Sequence, residues 1–452
     1  MKHSSSPSSW SAALLQLTSI FQGSAQQPTP ADAIDIDVDN QTSVSAAAAQ
    51  IAQGFYTTYH NASSTAGHFN QPEPWFWWLS GSGWNALLDF MVYNTAGDAE
   101  DNERYRTGLF AAYSENLGPR NDFAPPEQKN WEANDDQMYW AVTSLYNGQP
   151  DHPNCTDTPP SWLEISTNAF EAFARRWRAD SDTCGGGLRW QFRPGAPGYD
   201  YKNAVTNGGF FQVASRLARF TGNETYAAWA DAVYGWSAAV GLVSVESDGD
   251  DDFIHVFDGT SDGEMRNCSG VNHVEWSYNI ATYMHGAANM YAYHVLHKGN
   301  ETAGLKMWER RSQSFVAGAA EAFFTPTGRG SGTTGPAAVM YEQECEQTPG
   351  GCSTDQTSFK SSLGRWMGKT ALLVPSVRAS VVGLLRGSAR AAAASCQRGS
   401  GEAPLVCGQS WTRGDFDGRS DFGAHLSALE VVQSLLVLDA PPLLVQSRSA
   451  QV

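Results

Sequence analysis

The sequence predicts an all-α fold, an (α/α)6 toroid of six helical hairpins in a single domain. Three observations carry this expectation. Apolar residues recur at helical spacing, in segments of roughly 12 to 20 residues, from about residue 34 to about 437. Strand-like alternation is scarce and short. The joints between segments also repeat one chemistry: Thr95-Ala-Gly-Asp98, Thr221-Gly-Asn223 and Lys298-Gly-Asn300. Glycine tolerates the left-handed conformation that ends a helix, and Asp or Asn caps the next one. About a dozen helices in ~400 residues suit a closed toroid better than an open solenoid, because Gly- and aromatic-rich loops of irregular length interrupt them.

In chain order, residues 1–25 read as a secretory signal: Met1-Lys2-His3, a modestly apolar stretch from Trp10 to Phe21, then Gly23-Ser24-Ala25. Residues 26–33 are a Pro/Ala-rich leader, 34–438 the helical domain and 439–452 a tail. Within the domain, Asp135-Asp136 open a helix running to about Tyr146. Further helices are expected at Ile165–Arg178, Ala204–Arg219, Tyr226–Val243, Val274–His297, Glu301–Phe324, Thr370–Arg386 and His425–Leu438.

Composition narrows the partners. The 452 residues carry 29 basic and 47 acidic side chains, a net charge of −18, which argues against nucleic acid because phosphate binding needs a basic footprint. No run of ~18 apolar residues is present, so no transmembrane segment is expected. Only 17% of residues are charged, and 16 are Trp, so the polar surface must be mostly neutral. That profile suits a neutral polar ligand such as a sugar.

Cysteine and sequon placement points to the secretory pathway. Cys345 and Cys352 flank a Thr-Pro-Gly-Gly turn, and Cys396 and Cys407 flank a Gly/Pro loop, so both pairs are expected as local disulfides. Cys155 with Cys184 is the expected third pair, leaving Cys268 odd. Without a C-x-x-C motif, thiol redox chemistry and a zinc ribbon are not expected. Six N-x-[ST] sequons mark Asn40, Asn61, Asn154, Asn223, Asn267 and Asn300 as candidate glycosylation sites.

The chemistry centres on Trp131-Glu-Ala-Asn-Asp135-Asp136-Gln-Met-Tyr139-Trp140. Adjacent aspartates at a helix start can simply cap it and compensate its dipole. They can also supply what glycoside hydrolysis needs, one carboxylate at the anomeric carbon and another to protonate the leaving oxygen. Clusters mixing flat rings with hydrogen-bonding side chains favour the second reading: Pro74-Trp75-Phe76-Trp77-Trp78, Gly187-Leu-Arg189-Trp190, Lys202-Asn203 with Asn207, and Glu275-Trp276-Ser277-Tyr278-Asn279. Rings take the C–H faces of a pyranose and amides take its hydroxyls. Each single ring could equally be helix–helix core.

Other motifs carry less. Asp135-Asp136 lacks the third acid of a DDxxD magnesium motif, having Tyr139 there. Gly330-Ser-Gly332-Thr-Thr-Gly335 matches GxGxxG, but no strand precedes it and Pro336 follows, so a loop is expected. Asp248, Asp250, Asp251 and Asp252 resemble a calcium loop but have Phe253 where Gly is required, and read as a solvated acidic loop. His294 and His297 lie one turn apart with no third ligand. No metal site and no cofactor is expected.

With these pieces together, residues from about Ile34 to Leu438 resemble glycoside hydrolase family 76, the α-1,6-mannanases, and within it the fungal cell-wall branch of Dfg5/Dcw1 type. The resemblance rests on Trp77-Trp78 with Gly83 and Asp89, Asn121-Asp122-Phe123, Asn134-Asp135-Asp136-Gln137, and Cys184-Gly-Gly-Gly-Leu-Arg-Trp190-Gln191. It continues through Lys202-Asn203 with Asn207-Gly208, Glu275-Trp276-Ser-Tyr278-Asn279, and Asp355-Gln356 with Phe359-Lys360 and Arg365-Trp366. It implies the (α/α)6 barrel and a retaining mechanism with Asp135 as nucleophile and Asp136 as general acid/base. The sugar contacts it suggests are Asn121, Asp122, Trp190, Lys202, Asn203, Asn207, Trp276, Tyr278 and Asn279. The implied substrate is an α-mannose-containing glycan, either a GPI-anchor core or α-1,6-mannan, with β-glucan as a transfer acceptor. A secreted or cell-wall monomer is expected. The tail from Pro441 to Val452 is too short and polar for the GPI-attachment signal many relatives carry, so the chain is expected to be soluble and secreted, or truncated. The alternative from another class is a wall-glycan-binding protein that keeps the cleft without turnover.

Overall fold

The computed structural model describes residues 33–60, 67–71, 76–94, 97–144, 160–249, 251–263, 267–299, 302–325, 338–348, 351–398 and 404–440. The signal and leader, the Gly330–Gly335 loop, Cys155, the sequons at Asn61, Asn154 and Asn300, and the tail beyond Ala440 lie outside them.

Twelve α-helices dominate the described residues. They are α1 (Gln41–Tyr59), α2 (Trp77–Tyr93), α3 (Ala99–Asn116), α4 (Asn134–Ser144), α5 (Trp162–Asp180) and α6 (Ala204–Thr221), followed by α7 (Glu224–Ala239), α8 (Ser277–Tyr293), α9 (Ala303–Phe323), α10 (Phe359–Leu373), α11 (Arg378–Ala394) and α12 (Phe422–Asp439). The even-numbered helices form an inner ring: each packs on the next even one, and α12 returns to α2. The odd-numbered helices lie outside, each against its even partners. This is the expected toroid.

Burial follows from position in the ring. Inner helices are covered on every face, so nearly all of α6, α8, α10 and α12 is buried, polar residues included. Outer α5 and α9 keep one apolar stripe and one wet face. Among the described helices, α12 is long and apolar enough to cross a membrane, yet 94% of it is buried inside the protein. Close ring packing demands small residues: a Cβ on Gly286 of α8 would lie 2.4 Å from the Phe211 ring of α6.

Two joints follow the sequence expectation. Asp98 Oδ1 accepts from Glu100 N at 2.8 Å at the start of α3, and Asn223 Oδ1 accepts from Thr225 N at 2.9 Å at the start of α7, after Gly222 at φ 71°. At the third joint the cap is Thr302, whose hydroxyl accepts from Leu305 N at 3.2 Å.

Several expectations are corrected. The helix expected over Thr370–Arg386 is two helices, α10 and α11, because Pro375 supplies no N–H and crowds the preceding turn. Val243 and Val274 belong to strands. A four-stranded antiparallel sheet comprises β1 (Tyr201–Asn203), β2 (Val243–Asp248), β3 (Asp251–Ser261) and β4 (Val271–Glu275), with β3 pairing all three others. The β-branched residues of Val243-Ser-Val245 and Val271-Asn-His-Val274 favour this pleated surface. Of the acidic run, Asp248 lies opposite Asp251 and Asp252 opposite Ser247 in the β2–β3 ladder, with Gly249 at φ 65°, and Asp250 lies outside the described residues. A second sheet pairs β5 (Cys396–Arg398) with β6 (Leu405–Cys407).

Disulfides join Cys345 to Cys352 and Cys396 to Cys407, as expected. The third differs: Cys184 bonds Cys268, not Cys155, so Cys268 is not odd. Pairing of β1 with β3 brings the turn before β1 beside the β3–β4 connection, which carries Cys268. The sequons Asn40, Asn223 and Asn267 are all exposed.

Candidate active site

Asp135 and Asp136 occupy the first turn of α4, half-buried at the end of the ring where the inner helices begin. Capping is part of the arrangement. Asp136 Oδ2 accepts from Ala133 N at 2.7 Å, one half of a capping box, while Asp135 Oδ1 accepts from Asp136 N at 3.0 Å. The start of α4 is further bound to the strand-like segment before β1: Asn134 N donates to Trp190 O at 3.1 Å and Asn134 Nδ2 to Arg189 O at 2.8 Å. That leaves the Trp190 indole to donate to Asp135 Oδ1 at 3.2 Å.

The two carboxyls hold protons differently. Burial lifts Asp135 to about 6, against which the N–H groups at the helix start, the Asn203 amide and the Trp190 indole favour its ionised form. Burial lifts Asp136 further, well above the usual carboxylate range, and the charges of Asp135 and Glu132 add to it. One carboxylate beside one carboxylic acid is therefore the state near neutral pH.

Trp190 reaches the pair through a tight turn. Cys184, Gly185, Gly186 and Gly187 all hold positive φ, at 56°, 67°, 148° and 84°. A Cβ on Gly187 would lie 2.1 Å from the Trp236 ring, so only glycine fits there. Lys202 staples this turn: its buried ammonium donates to Asp180 O at 2.8 Å, Thr183 O at 3.1 Å and Gly186 O at 2.6 Å. Asn207 does the same one helical turn on, accepting from Leu188 N and donating to Leu188 O and Asn203 O. Both were expected to contact sugar. Their hydrogen-bonding groups are spent on backbone, so they build the turn instead.

The other expected contacts divide. Asn203 precedes α6 and faces Asp135, and Tyr278 in the first turn of α8 feels the charges of Asp135, Asp258 and Asp355. Trp276 packs edge-on to Phe359 at 5.5 Å, and the Tyr278 ring stacks on Phe359 at 3.9 Å and 10°. Asn279 Nδ2 donates to Asp258 Oδ1 at 3.5 Å, with its own buried Oδ1 unpartnered. Asn121 and Asp122 shape a turn at α4: Asn121 holds φ 52°, Asp122 O accepts from Gln137 Nε2, and Asp122 Oδ2 pairs with Arg120 at 2.9 Å.

Of the rings adjacent to the pair in sequence, Tyr139 lies at the aspartates but Trp131 and Trp140 do not. Trp131 is 78% exposed, and Trp140 is fully buried, stacked on Trp77 at 5.2 Å. The rings at the aspartates are Trp78 with Tyr139 at 4.4 Å, together with Trp190 and Tyr278.

Sequence reasoning missed two carboxylates. Asp258 of β3 accepts from Tyr201 Oη at 2.7 Å and Asn272 Nδ2 at 3.3 Å, and burial raises its proton affinity. Glu132 is buried and lifted to about 8, with Arg176 opposing the shift. Asp258 sits in a strand that periodicity did not reveal, and Glu132 was read only as a flank of the pair.

Paired carboxyl groups of unequal proton affinity, ringed by aromatics at the mouth of an (α/α)6 toroid, define a glycosidase. Comparison with known proteins gives the family. Residues 43–447 match the family described as Glycosyl hydrolase family 76, and the chain belongs to it. The chain is 36% identical over 412 residues to the mannan endo-1,6-alpha-mannosidase DCW1 of Saccharomyces cerevisiae, covering 91% of this chain and 83% of that protein. It is 34% identical over 413 residues to DFG5 of the same yeast, covering 90% and 81%. Among solved structures it resembles Dfg5 from Chaetomium thermophilum in complex with glucosamine, at TM-score 0.76 and 29% identity, covering 90% of this chain and 93% of that one. An inactive variant of the Salegentibacter α-1,6-mannanase in complex with α-1,6-mannotriose shares the fold at TM-score 0.61 and 21% identity, covering 88% and 100%.

Proposed function

We propose that this protein is a retaining glycosidase or transglycosidase acting on α-1,6-linked mannosyl glycans, with Asp135 as nucleophile and Asp136 as general acid/base. The observation that carries the roles is the different hydrogen bonding of the pair: the Trp190 indole donates to Asp135 Oδ1 at 3.2 Å, which favours an ionised Asp135, whereas Asp136 accepts, among the described residues, only from Ala133 N on Oδ2 and lies beside the Asp135 charge. Asp135, with these donors on its carboxylate, can attack the anomeric carbon. Asp136 keeps its proton; with Oδ2 accepting from Ala133 N, the proton belongs on Oδ1, free to reach the leaving oxygen. Attack forms an ester between Asp135 and the mannosyl unit while that proton breaks the glycosidic bond. Asp136, now ionised, takes a proton from water or from a sugar hydroxyl, which displaces Asp135 and restores both groups.

The mannose-containing core of a GPI anchor is the glycan we favour, with wall β-glucan as acceptor and the cell surface as the place of action. The names of the fungal relatives and the glucosamine complex of Dfg5 support a mannosyl and amino-sugar ligand. The half-buried carboxylates Asp258 and Asp355 beside Tyr278 suit such a cationic sugar. The test is to incubate purified protein with α-1,6-mannotriose and follow the new anomeric centre by proton NMR, with and without a β-glucan oligosaccharide. The α-anomer first, and a mixed product with acceptor, is expected. First-formed β-anomer would overturn retention, and an untouched substrate would overturn the substrate class.

A further inference from the structure

We propose that Glu342 is a positioning residue that sets the ring wall of the cleft formed by Trp276, Tyr278 and Phe359, and thereby how tightly a mannosyl unit is held. The proposal deepens the function proposed above and rests on it.

Helix α8 begins at Ser277, between the rings of Trp276 and Tyr278, and its own N-cap position makes no side-chain cap hydrogen bond. The cap comes from elsewhere in the chain. Glu342 is completely buried; its Oε1 accepts from Ser277 N at 3.1 Å and its Oε2 pairs with Ser277 Oγ at 2.5 Å. Two bonds to one residue fix the direction in which the helix starts, and so the direction of the rings on either side of it.

The same short turn grips α10. Glu346 Oε1 accepts from Glu342 N at 3.0 Å and pairs with Lys360 Nζ at 2.6 Å. Lys360 is the second residue of α10; its ammonium also donates to Gln409 O at 2.6 Å and lies 3.9 Å from the Trp411 ring centre. The residue before it is Phe359, whose ring stacks on Tyr278. Glu342 and Glu346 thus hold both helix starts that carry the wall, from behind it. The Cys345–Cys352 disulfide closes this turn, with Cys345 N donating to Glu342 O at 3.3 Å. Burial lifts Glu342 to about 8, so at neutral pH it is mostly uncharged, and glutamine is its near-isostere.

The experiment uses the full chain in two forms. In an Asp135→Asn background, calorimetry gives Kd for α-1,6-mannotriose; in the active protein, kcat and KM are measured on the same sugar. Glu342→Gln at pH 6 should leave Kd and KM within about twofold of the parent, while Glu342→Ala should raise both about tenfold with a smaller change in kcat. A folded Glu342→Ala protein with unchanged Kd and KM overturns the proposal, as does Glu342→Gln being as damaging as Glu342→Ala. Should Glu342→Ala not fold, Ser277→Ala removes one of the two bonds; a threefold or so rise in Kd supports the proposal and none overturns it. If the parent binds no α-1,6-mannoside, the substrate reading fails and the proposal falls with it. Binding by the parent with no response to these variants removes the positioning role alone.

Discussion

In the middle of the helix ring, Asp89 of α2 accepts from Arg365 Nε at 2.9 Å and Lys369 Nζ at 2.8 Å. Where the inner helices begin, Asp135 and Asp136 form no ion pair with a described residue. Near Asp89, Glu430 Oε1 also approaches Arg365 at 3.7 Å, and the Trp366 ring has Arg365, Lys369 and Arg216 within 5.5 Å. The two regions use the same residue types for opposite ends. In the ring, cations neutralise buried carboxylates and lock α2 to α10. At the helix starts a cation would hold both aspartates ionised and make Asp135 a poor nucleophile and Asp136 no acid at all. Without a cation burial is free to raise their proton affinity, which is the property the proposed reaction needs.

The contrast is broken or sharpened by substituting each region in turn. The largest expected effect is on turnover: Asp135→Asn should lower kcat by about ten-thousand-fold while leaving the melting temperature unchanged or higher, because it removes a desolvated carboxylate that has no cation. Asp89→Asn should do the reverse. Leaving Arg365 and Lys369 without their shared anion should cost about 3 kcal/mol in denaturant unfolding, with activity per folded molecule nearly kept. Equal stability losses in the two variants would erase the distinction.

Next in size is pH dependence. Activity should rise as Asp135 ionises near pH 6 and fall at higher pH as Asp136 loses its proton, the two limbs belonging to the pair as a unit. Stability runs the other way. Because the folded protein binds Asp135's proton more tightly than the unfolded chain, that group's contribution is present below about pH 4 and lost as pH rises through 6. Melting curves across that range should show the loss in wild type and a weaker slope in Asp135→Asn. The smallest effect belongs to Trp190→Phe, which removes one donor to Asp135; the acid limb should move upward, seen as a few-fold loss of kcat/KM at pH 5.5 and little loss at pH 7.

Much of the fold was legible because helix period and joint chemistry are local. The helix expected at Ala204–Arg219 is α6 at Ala204–Thr221, and the one at Glu301–Phe324 is α9 at Ala303–Phe323. The sheet was not legible, since β3 draws its stability from three partners distant in sequence. Pro375 was in plain view and still overridden by the apolar period around it. In the candidate site, the aspartate pair stands out in sequence by its residue types, and the structure places both at the start of α4. The backbone bonds of Lys202 and Asn207 were not legible, because a motif does not say whether a polar group faces a cavity or a backbone carbonyl. Glu342 gave no local signal; its partner Ser277 is 65 residues away.

Asp135, not Asp136, is the residue expected to become covalently attached to sugar. A fluorinated mannosyl substrate that slows the second step should trap the ester, and peptide mass spectrometry should find it on Asp135. An ester on Asp136 would reverse the two roles and contradict the hydrogen bonding from which they were assigned.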